Sequence, residues 1–143
     1  MRRLLKHMSE SQRRFNLTVL PGFFAIVRLA AEAPLPRWAT QGGFFSVTRT
    51  GDVLSVVCAA EQVPSGVAAV TGWRALRVKG PFALSEIGVL ATLTAPLAEA
   101  KVSLFAISTF DTDYLLVAEK QLSAAIAALK GAGHCIEESG AAS

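Results

Sequence analysis

Two aspartates, Asp111 and Asp113, lie in the stretch STFDTDYLLV between two apolar runs that are typical of β-strands. A tight hairpin turn needs only a residue such as Gly or Asn at this position. The two carboxylates are too close in sequence to indicate a general acid and a general base held apart in an active site. Two interpretations remain open: a structural hairpin corner, or the rim of a binding site.

A second candidate for chemistry is the stretch SEIGVL, where the chain enters a helix at Gly88. Ser85 is predicted to cap this helix, and Glu86 falls in its first turn, where a carboxylate suits the positive end of the helix dipole. Gly88 lets a ligand approach the backbone, and the free N–H groups of a helix start bind carboxylates. The alternative is that Gly88 only allows close packing of the helix on the sheet.

The predicted order of elements places this helix start and the TFDTD corner at the same edge of a sheet. The helix start offers N–H donors for a carboxylate, and Asp113 offers an acceptor for a cation. A zwitterion of the amino-acid type carries both groups. We therefore expect a small-ligand site between the two segments.

Residues that could carry out catalysis do not form a recognisable set. His7 lies in the N-terminal tail and His134 lies beside a C-terminal strand, and neither is close to a nucleophile motif. The sequence has no P-loop, no GxGxxG and no HExxH. Cys58 and Cys135 do not make a disulfide framework, and the pair His134–Cys135 is not a metal site. We expect no enzyme activity, no metal and no cofactor.

Length and composition fit one compact body or two very small units that share a core. The chain has 143 residues, 52% of them hydrophobic. No run reaches the roughly 18 uninterrupted apolar residues that a membrane span needs, and the N-terminus lacks the apolar stretch of a secretory signal. The expected location is the cytoplasm, with no membrane association.

The positive net charge of +3 comes from the N-terminus. Five of the 14 Lys and Arg residues lie in the first 14 positions, where Glu10 is the only acid. A basic tail on a nearly neutral body argues against nucleic-acid binding, which usually requires a basic face on the fold itself. Residues 1–14 are predicted to be a flexible basic tail.

The pattern of apolar residues predicts an α+β fold. The first convincing strand is FFAIVRL, and the runs FFSVTRT and VLSVVCAA around Gly51 and Asp52 predict a hairpin. The second half reads strand, helix, strand, strand, helix, strand, and the first half has the same order with shortened helices. At an offset of 60, Phe45 matches Phe105 and Val57 matches Val117.

This repetition predicts two tandem ferredoxin-like βαββαβ units, with antiparallel sheets and the helices on one face. We place an N-terminal unit at residues 15–72 and a C-terminal unit, with the ligand site, at residues 73–140.

The C-terminal stretch KGPFALSEIGVLATLTAPLAEAKVSLFAISTFDTDYLLV resembles CASTOR-type ACT domains, which occur in small bacterial tandem-ACT proteins and in cytosolic arginine sensors. The stretch FFSVTRTGDVLSVVCAAE is similar to the first ACT unit of the same bacterial proteins. The resemblance covers residues 17–136. It implies tandem ACT units, dimerisation, and amino-acid binding at an interface between ACT units.

By resemblance, the sensor pocket maps onto two segments of one unit and a third segment of an opposing unit. These are Glu86, Gly88, Val89 and Leu90 at the helix start, Thr109, Phe110 and Asp113 at the corner, and Val102, Ser103 and Leu104 from the opposing unit. Because one such unit exists per chain, the opposing unit would belong to a second protomer of a homodimer. The sensors have Gly and Asp where this chain has PFALS, so one acidic contact is absent.

The resulting hypothesis is a regulatory or sensor module that binds a zwitterionic or cationic amino acid and acts on a protein partner. The alternative is a ligand-independent interaction module with a degenerate pocket. The identity of the amino acid, and whether the N-terminal unit has a site of its own, stay open at this point.

Overall fold

The computed structural model describes residues 13–138. Of the basic tail expected at residues 1–14, only Arg13 and Arg14 belong to the described residues. The chain divides into two compact units. We call Gly22–Arg74 the N-terminal unit, and residues 13–21 together with 75–138 the C-terminal unit.

Eight strands and two α-helices make up the described residues, and short 3₁₀ turns lie at Arg37–Thr40, Ala60–Gln62 and Glu119–Gln121. In chain order the strands and helices are β1 (Asn16–Val19), β2 (Phe24–Leu29), β3 (Phe45–Arg49), β4 (Leu54–Ala59), β5 (Val70–Val78), α1 (Val89–Glu99), β6 (Phe105–Ser108), β7 (Asp113–Ala118), α2 (Leu122–Gly131) and β8 (Cys135–Glu138). The α+β prediction is confirmed. The division between the units falls inside β5.

In the C-terminal unit the strand order is β8–β1–β5–β7–β6. Strand β1 is antiparallel to β5 but parallel to β8. The sheet is therefore mixed, and the prediction of a wholly antiparallel sheet was wrong. Residues 15–21 were predicted to belong to the N-terminal unit. They lie in the C-terminal unit because β1 takes the place between β5 and β8.

The sequence pattern does not predict strand β1, since FFAIVRL is the first strand that it indicates. Its four residues are short for a strand signal, but they alternate: Leu17 and Val19 are buried and Asn16 is exposed. Leu17 and Val19 enter the core of the C-terminal unit. The strand is therefore held by its buried face as well as by pairing on both edges.

Both helices pack on the core of the C-terminal unit through leucines at helical spacing. Leu93 and Leu97 of α1 and Leu129 of α2 are fully buried. Helix α2 ends at Gly131, as predicted. Helix α1 begins at Val89 with Gly88 as its N-cap residue. The prediction of Ser85 as the cap was wrong because the chain first makes a turn, with the Glu86 N–H donating to the Ala83 carbonyl at 2.9 Å.

The N-terminal unit contains the predicted hairpin, in which β3 and β4 pair antiparallel from Phe45–Cys58 to Arg49–Leu54. Its strand order is β3–β4–β2–β5. Val27, Ala39, Val56 and Cys58 form its core.

The end of β5 is tied to the corner between β6 and β7. The Phe82 N–H donates to the Asp111 carbonyl at 2.8 Å, and Thr112 Oγ1 donates to the Val78 carbonyl at 2.6 Å. Gly80 lies between these two bonds, and a Cβ atom added there would meet the Asp111 carbonyl oxygen at 2.8 Å. The corner can approach the β5 end this closely only because position 80 has no side chain.

His134 is the one buried polar or charged residue among residues 13–138, with 4% of its surface exposed. Its Nδ1 accepts the Phe15 backbone N–H at 3.0 Å, and its ring stacks on Phe15. Burial lowers the pKa of His134, and a hydrogen bond with the Thr92 backbone opposes that shift. The neutral imidazole thus anchors the residues just before β1.

Replacing Gly80 with Ala tests the close approach of the corner. The added methyl group collides with backbone, so we expect Gly80→Ala to lower the free energy of unfolding by about 1–3 kcal/mol, measured by urea denaturation. Gly131→Ala is the matched control, since an added Cβ there meets nothing within 4 Å. Equal effects of the two substitutions would show that the approach at Gly80 is not a constraint.

A second prediction concerns pH. Because the folded-state pKa of His134 is depressed, the unfolded chain binds more protons once the pH falls below the ordinary histidine pKa of about 6.5. Stability should be constant above that pH and fall as the pH drops towards the folded-state pKa. Melting temperatures between about pH 7.5 and 5.5 measure this dependence.

His134→Asn should flatten the pH dependence in this range, since Asn does not titrate. His7→Gln is the control for the other histidine of the chain. A slope that survives in His134→Asn and disappears in His7→Gln would contradict the assignment.

Candidate functional site

The C-terminal unit contains a cavity of about 350 Å³ between the residues leading into α1 and the β6–β7 corner. We call it the inner cavity. Its lining consists of Phe82, Ala83, Leu84, Glu86, Gly88, Val89, Leu90 and Ala91 on one side, and Ser108, Thr109, Phe110, Asp111, Thr112 and Asp113 on the other. The helix start and the aspartate corner therefore face one space.

Seven of the ten predicted site residues line the inner cavity; they are Glu86, Gly88, Val89, Leu90, Thr109, Phe110 and Asp113. The other three, Val102, Ser103 and Leu104, lie between α1 and β6 and are not part of its lining. Val102 is buried in the core of its own unit, Leu104 packs against that core, and Ser103 is exposed. Their predicted role requires a second copy of the chain.

The start of α1 forms part of the cavity wall. Gly88 has φ +86°, a left-handed conformation that favours glycine, and an added Cβ there would meet no atom within 4 Å. No side chain caps the helix at this end. The first-turn residues Val89 to Ala91 line the cavity, so their N–H groups and the helix dipole create a positive end without an internal side-chain acceptor.

The corner is both a turn and a rim of the cavity. Thr109 Oγ1 accepts the N–H groups of Asp111 and Thr112 at 3.3 and 3.1 Å, and it donates to the Thr112 carbonyl at 2.9 Å. The Thr109 N–H donates to the same carbonyl at 2.8 Å. These bonds hold the turn, while Phe110 projects with 77% of its surface exposed. The two interpretations of the aspartate stretch are therefore compatible.

Asp113 begins β7 directly after the turn. Ser108 Oγ donates to its Oδ1 at 2.5 Å, across the pair of residues that closes the hairpin. This bond fixes the orientation of the carboxylate at the cavity wall. Asp113 and the start of α1 thus line the same cavity, one with a carboxylate and the other with the positive end of a helix.

Glu86 has a partner that the sequence analysis did not foresee. Arg13 Nη2 donates to Glu86 Oε1 at 3.1 Å, and Arg13 Nη1 donates to the Ile87 carbonyl at 2.9 Å. The guanidinium also lies over the Phe15 ring, 4.9 Å from its centroid. Arg13 was counted as part of the basic tail, and its 73-residue separation from Glu86 left no local signal of the contact.

The edge of the inner cavity carries the most exposed large hydrophobic side chains of residues 13–138. Ile87, Phe110 and Leu84 have 86%, 77% and 75% of their surfaces exposed. Phe110 and Leu84 line the cavity itself. Apolar groups gathered at a cavity mouth are typical of an interaction surface.

The N-terminal unit contains a corner with the same hydrogen bonds. Thr50 Oγ1 accepts the N–H groups of Asp52 and Val53 at 3.1 and 3.2 Å, as Thr109 does in the other corner. Arg49 pairs with Leu54 across that turn, where Ser108 pairs with Asp113. The two corners thus match at an offset of 59, not at the offset of 60 read from the sequence.

Arg49 binds within its own unit. Its guanidinium donates to the carbonyl of Ala31 and, at 2.8 Å, to the carbonyl of Ala33. Leu54 is 1% exposed and belongs to the interior. The position of Asp113 is therefore taken by a buried apolar side chain in the N-terminal unit.

Within residues 13–138, no group of three or more His, Cys, Asp or Glu side chains could hold a metal ion. None of the described helices is long and apolar enough to cross a membrane.

Two family models match the chain. One is the ACT domain, which matches residues 68–131, and the other describes an N-terminal domain and matches residues 22–66. The crystal structure of protein Atu0741 from Agobacterium tumefaciens is 39% identical, with a TM-score of 0.83; the match covers 88% of this chain and 94% of that one.

The chain is also similar to subunit 1 of the cytosolic arginine sensor for mTORC1 from Bos taurus, with 33% identity over 110 residues. This match covers 66% of the chain, which spans about a third of the sensor's length (33%). The regulatory subunit of aspartate kinase from Thermus thermophilus has a similar fold, with a TM-score of 0.56 at 9% identity over 78% of this chain and 91% of that one. The chain belongs to the ACT-domain family and is related to the cytosolic arginine sensors.

Proposed function

We propose that this chain is a non-catalytic regulatory module that binds a free amino acid in the inner cavity. The observation that carries the proposal is that the uncapped start of α1 and the carboxylate of Asp113 face the same cavity. The ligand carboxylate would bind the first-turn N–H groups of α1. Its ammonium group would bind Asp113 in a charge-assisted hydrogen bond.

The size of the cavity agrees with a ligand of this kind. Its volume of about 350 Å³ is at the small end of the range of about 300–1,000 Å³ for ligand pockets. The lining combines apolar side chains such as Val89 and Leu90 with few polar groups. A single amino acid fits this description better than a nucleotide or a peptide.

The relatives support the regulatory part of the proposal. One is named as a cytosolic arginine sensor, and another is the regulatory subunit of a kinase. We extend to this chain a sensing role in the cytosol, exerted on a protein partner. Arginine itself stays one candidate among the amino acids, because Glu86 is already paired with Arg13.

A second copy of the chain is proposed to cover the cavity. The exposed side chains of Leu84, Ile87 and Phe110 would be buried at that contact. The partner copy would supply Ser103 and Leu104 with the backbone of Val102, whose side chain is in its own core. Two-fold symmetry then gives two equivalent sites.

The exposed apolar edge also favours a second candidate function. In this alternative the exposed edge binds another protein without any small ligand, and the chain is an interaction module. The two functions differ in whether a small molecule changes the stability of the protein or of its dimer.

A screen of amino acids separates the two candidate functions. A ligand that binds only the folded protein raises its melting temperature by mass action. We expect one or more of the twenty amino acids at millimolar concentration to raise the melting temperature, and light scattering to give the mass of two chains. A melting temperature that no amino acid changes, with a mass that stays constant, would favour the interaction module.

A substitution at Asp113 tests the ammonium site. Asp113→Asn keeps an oxygen that can accept from Ser108 but removes the charge, so the fold should persist while amino-acid affinity drops at least about tenfold. Asp52→Asn, in the corner of the N-terminal unit, is the matched control and should bind normally. An Asp113→Asn protein with wild-type affinity in calorimetry would remove Asp113 from the site.

A further inference from the structure

The contact of Arg13 with the segment Glu86–Gly88 links residues 13–15, which we call the N-terminal arm, to the inner cavity. Arg13 binds Glu86 and Ile87 at the same time, and its guanidinium lies over Phe15. Phe15 is held by the bond from its N–H to His134. The arm is therefore anchored immediately behind the residue that makes the contact.

Arg13 approaches the segment from outside the inner cavity. A neighbouring outer cavity of about 570 Å³ is lined by Arg13, Ile87, Gly88 and part of the α1 surface. Glu86 lines the inner cavity and not the outer one, while Gly88 lines both. The segment is a thin wall, with Arg13 on one side and the ligand space on the other.

Among residues 13–138, the lining of the inner cavity carries acidic side chains without basic ones. The described lining of the inner cavity includes three acids, Glu86, Asp111 and Asp113, and no Lys or Arg. Without Arg13, Glu86 would add a full negative charge next to the ligand and would favour a cationic side chain. With Arg13 bound, a ligand cation must compete with an internal guanidinium for the same carboxylate.

The ion pair between Arg13 and Glu86 is weak enough for a ligand cation to displace. The side chains of Arg13 and Glu86 are 33% and 38% exposed. Ion pairs that are exposed to this degree contribute little, so the balance between Arg13 and a ligand cation is close. A buried pair would instead fix Glu86 permanently.

We propose that Arg13 determines the charge specificity of the amino-acid site by masking Glu86. The inference rests on the proposed function. In the wild-type protein the cavity favours amino acids with neutral side chains. When Arg13 is absent, Glu86 accepts a cationic side chain and the preference shifts towards cationic ligands.

A uniform loss of affinity for all amino acids would indicate a different role for Arg13. If Arg13 acted only by positioning the wall, its removal would weaken all amino acids equally, whatever their charge. The charge dependence of the change in affinity therefore separates masking from positioning.

The test uses L-lysine and L-norleucine, which share the backbone groups and differ in the terminal ammonium. Dissociation constants are measured by calorimetry for the full-length wild-type protein and for Arg13→Gln. We expect the affinity ratio of lysine to norleucine to rise about two- to fivefold in Arg13→Gln, the range for a half-exposed ion pair. The double variant Arg13→Gln/Glu86→Gln should return the ratio to the wild-type value.

Arg14→Gln is the matched control, because it makes the same change in net charge one residue away. An unchanged ratio in Arg13→Gln would overturn the inference, as would an equal rise in Arg14→Gln. The twenty-amino-acid screen on the wild-type protein tests the proposed function by itself. A response in that screen combined with an unchanged ratio would refute only the role of Arg13, and the absence of any response in wild type and variants would refute both.

Discussion

The site depends on the close approach of the β6–β7 corner to the end of β5. Two hydrogen bonds, from Phe82 to Asp111 and from Thr112 to Val78, hold these segments together. Gly80 makes the approach sterically possible. The chain must then turn away before α1, and this turn brings the helix start back towards the corner. The inner cavity lies between the corner and the segment that connects β5 to α1.

The same geometry explains why polar residues can remain at this edge. The turn satisfies its own backbone groups through Thr109, and Ser108 orients Asp113. The corner therefore forms its turn without help from a ligand. A site whose acceptor is already in place loses less conformational entropy on binding.

Local patterns in the sequence predicted most of the fold, and non-local contacts accounted for what was missed. The hairpin Phe45–Ala59 and the end of α2 at Gly131 follow from turn residues and periodicity, which are local properties. Strand β1 could not be recognised because it has only four residues and is held by pairing with β5 and β8, which joins residues more than 50 positions apart. The contact between Arg13 and Glu86 was missed for the same reason.

The convergence of the helix start and the corner was predictable because element order alone determines which segments meet at a sheet edge. The exact start of α1 was not, since Ser85 has the right chemistry for a cap and Gly88 the right conformation. The turn closed by the Glu86–Ala83 bond and the left-handed geometry of Gly88 place the helix start after Ser85. Backbone conformation of this kind leaves little trace in the pattern of residue types.

The two corners of the chain separate what a turn needs from what a site needs. Thr50 and Thr109 make the same bonds in both, so the threonine serves the turn. Asp113 has no counterpart, because Leu54 is buried at the matching position. Since the turn forms without this carboxylate in the N-terminal unit, its presence in the C-terminal unit is not required by the fold. Under the proposed function, this half-buried carboxylate is present to bind the ammonium group of the ligand.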